Sequence, residues 1–179
     1  MVNHNVNHKN IESINSLKNK EKIRILFVCL GNICRSSSAE GIMRTLIKQN
    51  KLEKKLAVDS AGILSYHQGE LPDPRMRMHA ARRGYTLTHR SRPICTNDFY
   101  DFDLLIGMDD RNIDDLKERA PGIEEEKKIH RMTDFCQNKV ADYVPDPYYG
   151  GASGFENVLN ILEDACKGLL VYLQEGGVS

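Results

Sequence analysis

The sequence has no excess of either sign of charge: 25 Lys and Arg residues stand against 25 Asp and Glu. With no net field to recruit nucleic acid or an anionic membrane, any anionic ligand must be held by a local device. Long apolar runs are also missing. The longest, "ILFVC" and "LLVYL", fall far short of the about 20 residues that cross a bilayer. The opening stretch "MVNHNVNHKNIESINSLKNKEK" has no apolar segment and no arginine, so it reads as neither a secretory signal nor a transit peptide. Internal repeats and linkers are absent as well. Five cysteines are an odd number in a chain large enough to fold without staples. With nothing marking secretion, a reduced, cytoplasmic set of thiols is expected.

What is present suits one domain. A chain of 179 residues that is 40% apolar can bury a sizeable core, and it is short for two. Residues 1–21 read as a polar, poorly ordered extension that turns helical around Ile11 to Leu17, and 22–179 as the folded unit. From Lys22 onward β and α patterns alternate. "IRILFV" is a β-rich run suited to a strand buried on both faces. "SSAEGIMRTLIKQNKL" follows with apolar residues at helical spacing behind a serine-rich start suited to N-capping. "KLAVDSAG" reads as a second strand, and "DPRMRMHAARRGY" as a helix closed by Gly84 in the C′ position. "FDLLIGM" and "KKIHRM" supply two more strands around the amphipathic helix "DDRNIDDLKERAPG". A long helix from Gly154 ends the chain. This order predicts an α/β fold: a single doubly wound sheet of four parallel strands with helices on both faces. Ligands of such sheets sit beyond the carboxyl ends of the strands. Cys29 is expected as the first residue past strand one.

That places "FVCLGNICRSSSAEG", residues 27 to 41, at the centre of interest. Two thiols and a cation this close fit a metal clip, a redox pair, an anion cradle or an accident of loop composition. A strand that turns within a few residues into a helix points backbone N–H groups at one anion. Gly31 and Asn32 tolerate the positive φ such a turn needs, and Arg35 offers a fork matched to two phosphate oxygens. A thiolate at Cys29 in these surroundings would be stabilised and nucleophilic, with Ser36 placed to donate to the sulfur. Zinc is disfavoured because Cys29 and Cys34 give two ligands at an unusual spacing, with no second pair of histidines. A Walker-type loop is excluded by the missing Gly-Lys-Ser/Thr. No cofactor or metal is expected.

The stretch Cys29-Leu30-Gly31-Asn32-Ile33-Cys34-Arg35-Ser36 closely resembles the signature of the low-molecular-weight protein tyrosine phosphatases. "PDPYYG", from Pro145 to Gly150, resembles the acid loop of that family, and "DSAG" with "YHQGELPDPR" resembles a third motif. The resemblance runs from about Ile23 to Leu173. It implies that Cys29 attacks the phosphoryl group while Arg35 stabilises the transition state and the amides of residues 30 to 36 bind phosphate. Asp146 is then general acid and base, and Tyr66, Tyr148 and Tyr149 line the substrate cleft. It further implies that Asn32, Ser36, Ser60 and His89 form a supporting set, with Asp109 a weaker echo, and that Cys34 is a redox partner of Cys29. The other thiols, Cys95, Cys136 and Cys166, read as packed or incidental.

Ser37 departs from the proline common in this family at the start of the helix, and Ile63 from a frequent threonine. The expected partner is a phosphotyrosine-containing protein, with no nucleic acid or membrane, acted on by a monomer or a weakly self-associating chain. Protein arginine phosphatases are similar, but carry threonine where this chain has Ile33; an aliphatic group suits an aromatic ring. Thioredoxin-coupled arsenate reductases need a distant cysteine pair that this chain lacks. A binding module without turnover would be expected to lose the cysteine, arginine or aspartate.

Overall fold

A computed structural model describes residues 17, 19–138, 141–148 and 150–178. Four strands, β1 (Ile23–Cys29), β2 (Leu56–Gly62), β3 (Leu104–Gly107) and β4 (Ile129–Arg131), form one parallel sheet in the order β2-β1-β3-β4. The connections carry helices α1 (Arg35–Gln49), α2 (Pro74–Arg82), α3 (Thr96–Asp101), α4 (Asp110–Arg119) and α5 (Ile123–Glu126), and α6 (Ala152–Glu175) closes the chain. The expected doubly wound sheet is therefore the fold.

The pleat of β1 divides the core in two. Ile23, Ile25, Phe27 and Cys29 face one side, where they pack with residues of α1, α2 and α6. Leu26 and Val28 face the other, against Phe99 and Phe102 at α3 and Leu116 of α4. Residues 25 to 28 are all inaccessible to solvent, which is why this strand reads as a continuous apolar run without alternation. Each such side chain contributes on the order of 2 kcal/mol by leaving water.

Local signals account for the element ends. Asp73 caps α2 by accepting the N–H groups of Arg75 and Met76. Gly84, at φ +88°, ends it as expected: its N–H bonds to Ala81 O, and Tyr85 N–H reaches Ala80 O. Two details differ from the sequence reading. Cys29 is the last residue of β1 and not the first beyond it, because its backbone still pairs with β2, where Ile63 N–H donates to Cys29 O at 2.9 Å. The serines do not cap α1. The helix starts at Arg35 without a side-chain cap, and the Ser37 and Ser38 hydroxyls bond back to Cys34 O.

The short helices α3 and α5 and a 3₁₀ turn at Met132–Phe135 were not expected, being too brief to show a helical period. Most of the N-terminal extension, including Ile11 to Ser16, lies outside the described residues; Leu17 is buried against the main core. No helix among the described residues is long and apolar enough to cross a membrane.

Candidate active site

The loop between β1 and α1 lies at the carboxyl edge of the sheet, and three neighbouring segments close around it. The chain after β2 continues alongside the loop, with Leu64 N–H donating to Leu30 O at 2.9 Å. Gly62 allows this approach, because a Cβ there would come within 3.1 Å of Leu30 O and the Gly31 carbonyl carbon. The segment after β3 supplies Asp109. Residues 144–148 are tied to it by Val144 N–H donating to Met108 O at 2.8 Å.

At the floor, Cys29 Sγ is 3.0 Å from Ser36 Oγ and accepts the Asn32 N–H at 3.3 Å. Asn32 has φ +58°, a conformation that costs roughly 1–2 kcal/mol for a residue with a side chain. Its amide is used at every position. Nδ2 donates to Ser36 Oγ (2.8 Å) and Ser60 Oγ (3.0 Å), while Oδ1 faces His89 Nε2 (3.1 Å) and accepts the Arg92 N–H (3.1 Å). Because Ser36 Oγ already accepts from Asn32, its own hydrogen is free to point at Cys29 Sγ.

Behind Asn32 lies a charged layer. His89 Nδ1 is 3.2 Å from Glu40 Oε1 and 3.3 Å from Asp59 Oδ1. Burial raises the pKa of the Glu40 carboxyl, although His89 and Arg44 pull against it. Arg92 holds the other oxygen of Asp59 and also pairs with Asp98. Glu40, Asp59 and His89 are close enough together to meet a cation. Ser60, Arg44 and Arg92 already complete their bonding, so the cluster is satisfied as an ion-pair network.

Arg35 is 3% exposed at its side chain. Its Nη1 donates to Asp109 Oδ2 at 2.6 Å and to Val144 O at 3.1 Å, and Nη2 lies 3.7 Å from Asp146 Oδ2. Burial opposes its charge, but the Cys29 sulfur and the carboxylates of Asp109 and Asp146 outweigh that and raise its pKa. Asp146 accepts the Tyr148 N–H on Oδ1 at 3.0 Å, so Oδ2 is the oxygen turned toward Arg35. At Cys34, burial first, and then the charge of Asp73, push the pKa far above the usual thiol range.

A cleft of about 330 Å³ opens over these groups. Cys29, Leu30, Gly31, Ile33, Cys34 and Arg35 form its floor, and Leu64, Tyr66, His67, Asp146 and Tyr148 its walls. Asn32, Ser36, Ser60 and His89 stand behind the floor, joined by hydrogen bonds. Tyr66 is 83% exposed at the rim. Tyr149 lies outside the described residues. His67 and Leu64 were not singled out from the sequence. The imidazole of His67 lies so close over Gly31 that a Cβ there would meet its Cδ2 at 3.1 Å, and its ring makes an edge contact with Tyr66 (4.9 Å) and tilts toward Tyr148 (6.0 Å). Its position next to Tyr66 was the signal available. Asp59 was marked only as the first residue of "DSAG" and Arg92 only by lying three residues after His89; Glu40 offered no signal.

Residues 24–178 match the family described as low molecular weight phosphotyrosine protein phosphatase. The chain belongs to that family. A relative from Synechocystis, described as a putative low molecular weight protein-tyrosine-phosphatase, is 44% identical over 84% of this chain and 96% of its own. The low molecular weight protein-tyrosine-phosphatase YfkJ of Bacillus subtilis is 39% identical over 86% of this chain and 97% of its own. Among solved structures, a protein tyrosine phosphatase from Entamoeba histolytica with Hepes in its active site superposes with a TM-score of 0.84. It has 46% identity and covers 87% of this chain and 99% of the other. The cleft brings the thiol and guanidinium of one loop together with a carboxyl from a loop far along the chain.

Proposed function

We propose that this protein hydrolyses phosphotyrosine in proteins through a phosphocysteine intermediate. The convergence of Cys29 Sγ, Arg35 and Asp146 Oδ2 on one cleft supports this reading. The Cys29 thiolate attacks phosphorus, an S–P bond forms and the P–O bond to the tyrosyl oxygen breaks. Asp146, in its protonated form, gives its proton to that oxygen. Water then attacks phosphorus with Asp146 as base, the S–P bond breaks, and the thiolate leaves with the Ser36 hydroxyl donating to it.

Arg35 meets the equatorial oxygens. Both of its structural bonds leave from Nη1, so the Nε–Nη2 edge remains for a bidentate grip. The uncapped start of α1 adds its N–H groups and dipole. Ile33 on the floor and Tyr66, His67 and Tyr148 in the walls give the cleft an apolar and aromatic lining that suits an aryl ester. Every group in the scheme comes from one chain, so a monomer suffices. The scheme also needs Cys29 as a free thiol, which supports a reducing, cytoplasmic setting.

The test is hydrolysis of phosphotyrosine, phosphoarginine and arsenate with thioredoxin side by side. A burst of phenol from an aryl phosphate and preference for phosphotyrosine are expected. Turnover of aryl phosphate by Cys29→Ser at the parent rate would remove the nucleophile. Preference for phosphoarginine would overturn the argument from Ile33.

A further inference from the structure

The acid loop is anchored on both sides of Asp146. On the near side, Val144 N–H donates to Met108 O, and Val144 O accepts from Arg35. On the far side, the anchor is Arg75, whose Nη2 donates to Tyr148 O at 2.9 Å. Tyr148 in turn donates its N–H to Asp146 Oδ1 at 3.0 Å. Arg75 therefore grips the residue that orients the acid.

Arg75 is itself held in a fixed direction. The Asp73 carboxylate takes it at two points, Nε to Oδ1 at 3.1 Å and Nη2 to Oδ2 at 3.0 Å, a fork that sets the plane of the guanidinium. That plane lies over the ring of Phe155 at 4.9 Å and near the ring of Tyr148 at 5.7 Å. Phe155 is 1% exposed and stacks on His79 of α2, so the platform beneath Arg75 is rigid. Asp73 is also joined to the phosphate-binding loop, because its backbone N–H donates to Ile33 O at 2.8 Å. One connected path thus runs from Ile33 through Asp73 and Arg75 to Tyr148 and Asp146.

We propose that Arg75 is a positioning residue that sets the height of the acid loop over Cys29, and with it the reach of Asp146 Oδ2 to the leaving oxygen. This rests on the acid role given to Asp146 above. Without Arg75, Cys29 keeps its contacts with Ser36 and Asn32, and Arg35 its bonds to Asp109 and Val144, so the nucleophile and the phosphate grip are spared. Only the step that needs a proton suffers, since misplacing a reacting group by about 1 Å can cost up to about 100-fold. The guanidinium is half exposed, which makes its anchor weaker than a buried one and the expected loss smaller than that limit.

The experiment compares kcat/KM for phenyl phosphate, whose leaving group needs a proton, with that for 2,4-dinitrophenyl phosphate, whose leaving group does not. Arg75→Met is expected to lose about 5- to 20-fold on the first ester and less than about 3-fold on the second. Arg75→Lys is expected to recover part of the loss, as a point charge cannot hold Asp73 and Tyr148 O together. Added to Asp146→Ala, the Arg75→Met change should cost nothing further on phenyl phosphate. Competitive inhibition by inorganic phosphate should stay within about 2-fold, which reads the phosphate loop alone. Equal losses on both esters, an additive loss on top of Asp146→Ala, or weakened inhibition by phosphate would each overturn the positioning role. Asp146→Ala alone is the separate control. If it leaves the leaving-group dependence unchanged, the acid assignment fails first and the positioning role with it.

Discussion

Asn32 Oδ1 and His89 Nε2 stand 3.1 Å apart, joining a residue of positive φ in the phosphate loop to a charged layer behind β2. The amide of Asn32 also serves Ser36, Ser60 and the Arg92 N–H, so no part of it is idle. Asn32→Ala is expected to remove one hydrogen bond each from the Ser36 and Ser60 hydroxyls, the His89 ring and the Arg92 N–H, and with them what holds φ at +58°. The cost should be about 1–3 kcal/mol of stability and at least about 10-fold in kcat/KM. Asn32→Gly relieves the backbone cost but not the lost bonds. If it matches the parent in a urea melt and an aryl phosphate assay, the amide network contributes nothing.

Asp109 and Asp146 both approach Arg35, and they should fail differently. Asp109 Oδ2 meets Nη1 at 2.6 Å, while its Oδ1 caps α4 through the Asn112 N–H. Asp109→Asn keeps an oxygen for the cap and removes the charge that orients the guanidinium. A loss of roughly 10- to 100-fold in kcat/KM is expected, equal for good and poor leaving groups, because a charge-stabilising contact acts on both. Asp146→Ala should instead lose most on poor leaving groups. A leaving-group series on the two variants separates them, and matching slopes would make Asp109 an acid or Asp146 a mere ion-pair partner.

The parts of this site that could be read from the sequence are those that local spacing joins. Cys29 to Ser36 span one strand-to-helix turn, and Asp146 sits beside two prolines and two tyrosines, so residue types within a few positions point to the proposed chemistry. The sheet order was legible only as a class. That β3 lies beside β1, bringing Asp109 to Arg35, is a fact of strand pairing. Glu40, Asp59 and Arg92 come from α1, β2 and a loop after α2, and nothing about each alone marks it as a partner of His89. His67 was hidden for another reason: its contacts with Gly31 and Tyr148 arise only when the chain after β2 folds back over the loop. Arg75 closes the stretch "YHQGELPDPR", but its contact with Tyr148 arises only when the acid loop folds over α2.

His130 on β4 gives a pH dependence with a definite sign. Its Nε2 is sealed from solvent without a hydrogen-bond partner, and burial lowers its pKa from 6.5 to about 4. Between those values the unfolded chain binds a proton that the folded chain refuses. Stability is therefore complete above about pH 6.5 and falls as pH drops toward 4, by up to about 3 kcal/mol from this residue. His130→Leu should flatten that decline. Urea midpoints of parent and variant at pH 7.5 and pH 5 are the measurement; parallel declines would show that His130 is protonated without cost in the fold.

Cys34 shares the cleft with Cys29, yet burial and Asp73 keep it a thiol, whereas the Cys29 sulfur accepts the Asn32 N–H and faces the Ser36 hydroxyl. Peroxide should therefore oxidise Cys29 first, its sulfur gaining the hydroxyl of a sulfenic acid while peroxide is reduced to water. Cys34 sulfur can then bond to Cys29 sulfur, with loss of its proton and release of the hydroxyl as water. Activity lost to a small excess of hydrogen peroxide is expected to return with dithiothreitol, and the inactive protein should have two fewer titratable thiols. Because the attacking group is the reluctant Cys34 thiol, closure should speed up as pH rises. Without that thiol, Cys34→Ser is expected to pass on to the sulfinic acid at Cys29 and to stay inactive after reduction. If the variant recovers as fully as the parent, Cys29 is protected by some other route and Cys34 serves the core alone.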